Sequence, residues 1–274
     1  MVVQHNLTAA NTNRQLGITT SGLQKSTEKL SSGYKINRAA DDAAGLSISE
    51  KMRNQIRGLN KASDNAQDGI SLVQTAEGAL NEVHSMLQRM SELSVQAANG
   101  TNDTTDRSSI NDEVQQLKTE IRRVGSTTQF NKMNILDGTF SAGANKLLQV
   151  GANANQTIQI DIDALQSVVG SSLKNLKTET ATNAQSAITV VQSSIEKLSK
   201  LRSKLGAVQN RLEHTVANLD NISENTQSSE SRIRDTDMAE EMVQYSKNNI
   251  LQQAGQSMLA QANQANQGVL SLLQ

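Results

Sequence analysis

The sequence contains no proline. At an average usage of roughly 5%, a chain of 274 residues would carry about a dozen. Proline breaks helices because it lacks the amide hydrogen and its ring clashes with the preceding turn. Its absence predicts long, uninterrupted helices over most of the chain. The apolar residues repeat accordingly. From Val73 they run Val73, Ala76, Leu80, Val83, Leu87, Met90, Ser94 and Ala97, in alternating steps of three and four. A second seam reads Ile110, Val114, Leu117, Ile121 and Val124. A third reads Ile188, Val191, Ile195, Leu198, then Leu205, Val208, Leu212, Thr215, Leu219 and Ile222. Such steps average 3.5 residues, the repeat that keeps a narrow stripe facing a partner helix.

The first long helix is expected from near Leu46 to the stop signal Asn99-Gly100. At 1.5 Å per residue it would extend about 80 Å, more than a compact domain of this mass spans. The fold expected is mainly α, an elongated antiparallel coiled-coil or helical-bundle rod. Two Tyr, two Phe and no Trp leave no large rings for a thick core, so thin layers of Leu, Ile, Val, Met and Ala must supply it.

Between Asn134 and Leu165 the pattern changes. ILDGTF, LLQVG and TIQIDI are separated by turn-forming residues, and Ile158, Ile160 and Ile162 alternate with polar ones. A small antiparallel β-hairpin element is expected there. Residues 170–185 read as a polar, Ser/Thr-rich connection into the return helix. The chain ends are thinner. Ala9, Leu16, Leu23 and Leu30 recur at seven-residue spacing, and the last seam is Met258, Ala262, Ala265, Val269 and Leu272. Isolated helices of this kind need packing to be stable, so the ends are expected to fold against each other or against neighbours in an assembly.

Enzymatic chemistry finds little support. Without cysteine there is no disulfide, thiolate nucleophile or zinc-thiolate site. His5, His84 and His214 lie far apart in sequence without metal-ligand spacing, although His84 and His214 flank seams on helices expected to be antiparallel. The carboxylate pairs Asp41-Asp42 and Glu240-Glu241 fit helix starts better than acid/base catalysis. No glycine-rich phosphate loop occurs, and neither a cofactor nor a metal is expected. A net charge of -1 argues against nucleic-acid binding. No apolar run has the length of a membrane span, so membrane insertion is not expected, and the N-terminus lacks the pattern of a cleaved signal peptide. Met238, Met242 and Tyr245 form a stripe that reads as seam, completed here by a partner chain.

Longer motifs carry a resemblance. LSSGYKINRAADDAAGLSISEKMRNQIRGL and NAQDGISLVQTAEGALNEVHSMLQRMSELSVQAANGTN resemble the N-terminal region of bacterial flagellins. LRSKLGAVQNRLEHTVANL and the stretch from SRIRDTDMAEEMVQYSKNNI to the end resemble their C-terminal region. MVVQHNL and the compact length are similar to clostridial-type flagellins, in a short form without variable outer domains around 165–185.

The resemblance implies a non-enzymatic structural subunit of the flagellar filament, with its termini paired as a coiled coil. Residues 1–45 and 232–274 would form the inner tube and 46–231 the outer rod, with Leu16, Leu23, Leu30, Met258, Ala262, Ala265, Val269 and Leu272 serving polymerisation. It implies secretion, unfolded, through the flagellar type III export channel into an extracellular filament for motility. A proline-free chain suits that route, because no slow prolyl isomerisation delays refolding. Expected partners are other copies in a homopolymer, a flagellar export chaperone on the C-terminal segment, and the filament cap and hook-junction proteins. A hook-filament junction protein of the same export family is the alternative.

Recognition by Toll-like receptor 5 is a further implication. The family's motif matches QRMSELSVQAAN, placing Arg89, Leu93 and Glu113 at its centre with Gln88, Glu92 and Gln96 beside them. Arg89 and Leu93, four apart and off the main seam, are expected to share an outward face. From the residues alone the same stretch reads rather as an ordinary solvated charged face. Ser91 departs from the charged residue many relatives carry there, and the chain ends in Gln274 where others often end in Arg.

Overall fold

The computed structural model describes residues 6–141 and 146–271, with side-chain surroundings given up to residue 264. The protein is mainly α. Its elements are α1 (Leu7–Ser32), α2 (Ala43–Ala98), α3 (Thr104–Thr127), β1 (Gln129–Phe130), β2 (Met133–Asn134), β3 (Leu147–Gln149), β4 (Thr157–Gln159), a π-helical turn (Gln166–Gly170), the single turn α4 (Ser171–Leu173), α5 (Ala181–Arg234) and α6 (Met238–Ser271). They divide into two compact units, residues 56–223 and residues 1–55 with 224–274.

Short polar side chains start these helices, satisfying amides that have no carbonyl partner in the first turn. The Asn6 side chain accepts from the Ala9 amide at 3.0 Å, Asp42 from Gly45 at 2.9 Å, and Asp237 from Ala239 at 2.9 Å. Gly33 closes α1 in the left-handed region at φ 75°, where a Cβ would be strained. Where α2 ends, Arg107 of α3 donates to the carbonyls of Ala97 and Asn99, both at 3.1 Å. That clamp satisfies orphaned carbonyls and ties α3 to the end of α2.

In the unit 56–223 the seams close into one core. Leu80, Leu87 and Met90 of α2, Val114 and Ile121 of α3, and Leu198 and Leu205 of α5 are buried together. Two smaller clusters follow along α2 and α5: Ala66 with Leu212, Val150 and Ile158, then Leu59 and Ala62 with Leu219. The β3–β4 hairpin pairs antiparallel, Leu148 opposite Ile158, and rests on α2. At Gly58 a Cβ would lie 2.9 Å from that of Ala152, so only glycine admits the hairpin this close.

The β region differs from the expectation in two places. Besides β3–β4 there is a second strand pair, β1 with β2, that begins before Asn134. ILDGTF forms no strand; Ile135, Leu136 and Phe140 are buried in irregular backbone, and the Ile162 amide donates to the Phe140 carbonyl at 2.8 Å. The alternation after Ile158 therefore marks burial in the core: the Ile160 amide still donates to the Lys146 carbonyl at 3.3 Å at the end of the hairpin, and Ile162 lies beyond it. The polar connection of 170–185 is also more than a tether. Leu173, Leu176 and Thr178 are buried, and the Asn111 side chain accepts from the Thr178 amide at 3.2 Å. Gln115 and Lys118 donate to the Leu176 and Lys174 carbonyls, each at 3.0 Å.

Candidate functional site

Helices α1 and α6 pack against one another in the terminal unit. Four cross-contacts set an antiparallel register. The Asn6 amide donates to the Ala262 carbonyl at 3.0 Å, and a Cβ on Gly255 would lie 3.3 Å from Leu16. A Cβ on Gly22 would lie 3.2 Å from the Asn248 amide, and Lys29 pairs with Glu241 at 3.4 Å. The inward face of α1 holds Ala9, Thr12, Leu16, Leu23, Ser26 and Leu30, of which only Ser26 is fully buried. The half-buried face of α6 runs Glu241, Tyr245, Asn248, Gln252, Gly255, Leu259 and Ala262, again in steps of four and three.

Leu16, Leu23, Leu30 and Ala262 thus lie on this seam as the repeat requires. Met258 does not. It is 57% exposed, on a second face of α6 with Val243, Ile250 and Leu251. The heptad frame anchored at Met258 starts one residue early, because the true seam carries Leu259 with small and polar residues that hydropathy alone does not pick out. Within the Met238–Met242–Tyr245 stripe, Tyr245 is half-buried while both methionines are about half exposed. The side chains of Ala265 and Val269, and the whole of Leu272, lie outside the described residues.

The strands of chain entering and leaving this helix pair are cross-linked by Arg234. Its guanidinium lies 4.6 Å from the Tyr34 ring centroid and donates to Glu50 at 2.8 Å, while its carbonyl accepts from the Lys35 amide at 2.7 Å. The Thr236 amide donates to the Gly33 carbonyl at 3.0 Å. Hydrogen bonding to Arg234 holds the Glu50 carboxyl below its ordinary value.

A second surface lies on α2 and α3. Arg89 donates to Glu113 at 3.0 Å and to Glu92 at 3.1 Å, and these two carboxylates, Glu113 foremost, raise its pKa. Gln88 contacts the His84 ring at 3.1 Å. Gln88, Arg89, Glu92, Gln96 and Glu113 are exposed together. Leu93 is not part of that face: it is 1% exposed and belongs to the core. A residue four after Arg89 shares its side of the helix only approximately, and Leu93 turns into the core. Val95, 57% exposed, is the apolar side chain that does reach the surface nearby.

No group of three or more metal-ligating side chains occurs among the described residues, and none of their helices is long and apolar enough to cross a membrane. Asp42 and Asp237 cap helices, and Asp41 accepts from the Arg38 amide at 3.0 Å, while Glu240 and Glu241 occupy the first turn of α6.

Residues 3–141 match the bacterial flagellin N-terminal helical region, and residues 188–273 match the bacterial flagellin C-terminal helical region. The chain is 56% identical over its whole length, and the whole of the relative, to a flagellin of Halalkalibacterium halodurans. The chain belongs to the bacterial flagellin family. It is also 49% identical, over the full length of both chains, to the flagellar filament 33 kDa core protein of Treponema phagedenis. The crystal structure of Bacillus cereus flagellin is similar with a TM-score of 0.51 and 32% identity, covering 57% of this chain and 88% of that one. The two flagellin regions take in α1 to α3 on one side and nearly all of α5 and α6 on the other. Between them, the described residues 146–187 hold the β3–β4 hairpin, the helical connection and the start of α5, which fits a short form without an outer domain.

The residues that sequence reasoning missed in this flagellin are the polar members of the seam, Asn248 and Gln252, and the Arg234–Tyr34–Glu50 cluster. A three-four count started from Leu259 would have found the former. Nothing in the sequence pattern brings Arg234 to Tyr34 and Glu50.

Proposed function

We propose that this chain is the structural subunit of a bacterial flagellar filament, polymerising through its terminal helix pair, and that it has no enzymatic activity. One observation carries this reading: helices α1 and α6 leave Leu7, Ile18, Met242, Val243, Ile250, Leu251 and Met258 exposed. Large apolar side chains left exposed repeatedly along one helix pair are what a protein partner would cover. Identity to a protein named for the filament core supports the filament as the occupant. The subunit is secreted through the flagellar export channel, with a chaperone covering the C-terminal face beforehand, and it contacts the filament cap and hook-junction proteins at the ends of the homopolymer. The inner part comprises 1–45 and 232–274, the outer part 46–231.

The test is assembly. Purified subunit seeded with filament fragments is expected to elongate them into fibres visible by negative stain, and failure to elongate would contradict the reading.

The exposed group around Arg89 serves as a contact for Toll-like receptor 5, through Gln88, Arg89, Glu92, Gln96 and Glu113, with Leu93 supporting Arg89 from beneath. Arg89→Asp reverses the charge between Glu92 and Glu113. It is expected to weaken receptor binding at least tenfold with helix content unchanged; unchanged affinity in a titration would remove Arg89 from the contact.

A further inference from the structure

Asn99-Gly100, at the exit of α2, is the only Asn-Gly pair in the sequence. Both residues are exposed. Neither packing nor backbone calls for glycine there: an added Cβ would meet no atom within 4 Å, and φ lies outside the left-handed region. What glycine leaves is an unshielded amide, and that amide has no acceptor among the described residues.

The Asn99 side chain folds back over this amide. Its Oδ1 accepts from the Thr101 amide at 3.4 Å, which closes a ring containing Cγ of Asn99 and the nitrogen of Gly100. The Asn99 backbone carbonyl, bonded directly to that nitrogen, accepts from Arg107 Nη2 at 3.1 Å and from the Asn102 amide at 3.4 Å. The side-chain carbonyl and the backbone carbonyl of Asn99 are thus each polarised by donors. Donors fixed at a carbonyl oxygen lower the barrier to attack on its carbon, because negative charge develops on that oxygen.

We propose that Asn99-Gly100 is a self-modification site that converts to an isoaspartyl linkage, with Arg107 directing the outcome. In the first step the Gly100 nitrogen bonds to Asn99 Cγ, the Cγ–Nδ2 bond breaks, and ammonia leaves with the amide proton. A five-membered succinimide remains, and water then adds to one of its two carbonyls. Attack at the carbonyl held by Arg107 breaks its bond to the Gly100 nitrogen, which recovers a proton and stays attached to Cγ. The former backbone carbonyl becomes a carboxylate where Arg107 already donates, so a neutral acceptor is replaced by a charged and stronger one. Attack at Cγ would instead give plain aspartate, with its carboxylate on the Thr101 side. The isoaspartyl product adds one negative charge and one backbone methylene to the link between α2 and α3.

The test incubates the folded full-length chain beside the free peptide QAANGTND, residues 96–103, in mildly alkaline buffer. Peptide mass spectrometry follows the exchange of ammonia for water, and isoaspartyl methyltransferase labelling separates the two products. The folded chain is expected to react at Asn99 at no less than a tenth of the peptide's rate, with an isoaspartyl-to-aspartyl ratio at least twofold higher. Gly100→Ala, whose Cβ meets open space, is expected to slow the reaction at least tenfold with helix content unchanged. Arg107→Gln is expected to return the product ratio to the peptide's value. Reaction slower than a tenth of the peptide's rate would overturn the site, because the fold would then protect the pair. A ratio equal to the peptide's would remove Arg107 from the reaction. Should Arg107→Gln fail to fold, the ratio in the unaltered chain decides.

Discussion

In the unit 56–223 the seam positions are Val73, Leu80, Leu87, Met90, Leu198 and Leu205, all fully or almost fully buried. In the terminal unit the equivalent positions of α1 and α6 are Leu16, Thr12 and Ser26 against Asn248, Gln252 and Gly255, and among them only Ser26 is buried. Both regions obey the same alternating repeat. They differ in what fills it and in where the large apolar residues go. The bundle points them inward, whereas α6 points Val243, Ile250 and Met258 outward. Apolar burial drives helix packing, and polar seam residues fix register at a cost in stability. One region is thus self-sufficient, and the other is aligned by its polar contacts and, on the proposed function, is completed by neighbouring copies.

The largest expected effect comes from removing 1–45 and 232–274. The shortened chain should keep a cooperative thermal transition and lose seeded elongation altogether; elongation by sedimentation or microscopy would break the contrast between the units. Next, Leu205→Ala should destabilise the monomer by about 2–5 kcal/mol in urea unfolding, the usual cost of truncating a buried leucine. Leu93→Ala should cost a similar amount, because Leu93 is core. Leu23→Ala, in the half-buried seam, should cost the monomer about 1 kcal/mol or less while raising the critical concentration for assembly. Ile250→Gln should leave monomer unfolding within about 0.5 kcal/mol and still raise that concentration, since the side chain is 67% exposed.

The smallest effect concerns pH. Glu50 is held below its ordinary 4.5 by Arg234. The pair therefore stabilises the terminal unit fully above that value, and its contribution is lost as pH falls through the lower, folded-state pKa. Amide exchange near Tyr34 and Arg234 should accelerate across that acidic window. In Glu50→Gln it should be faster already at neutral pH and lose the dependence.

Much of this was legible in the sequence because the helix repeat is written in apolar residues. The α2 seam from Val73 to Ala97, the stop at Asn99-Gly100 and the seven-residue spacing of Leu16, Leu23 and Leu30 are all realised. Legibility failed where the seam ceases to be apolar. On α6, Met258 outranks Gly255 and Gln252 in hydropathy, yet the helix turns Met258 outward. It failed again where tertiary contact decides burial, as for Leu93 in the core and for Ile135 and Phe140 in irregular backbone. The Arg234 cluster is a long-range meeting of residues 184 positions apart in the case of Glu50, and no local pattern encodes it.

Amide hydrogen exchange on the monomer and on the assembled filament tests the contrast most directly. In the monomer, the core segments of α2, α3 and α5 are expected to exchange slowly while α1 and α6 exchange faster by orders of magnitude. On assembly α1 and α6 should become as protected as the core. Equal protection of the terminal and core helices in the monomer would contradict it.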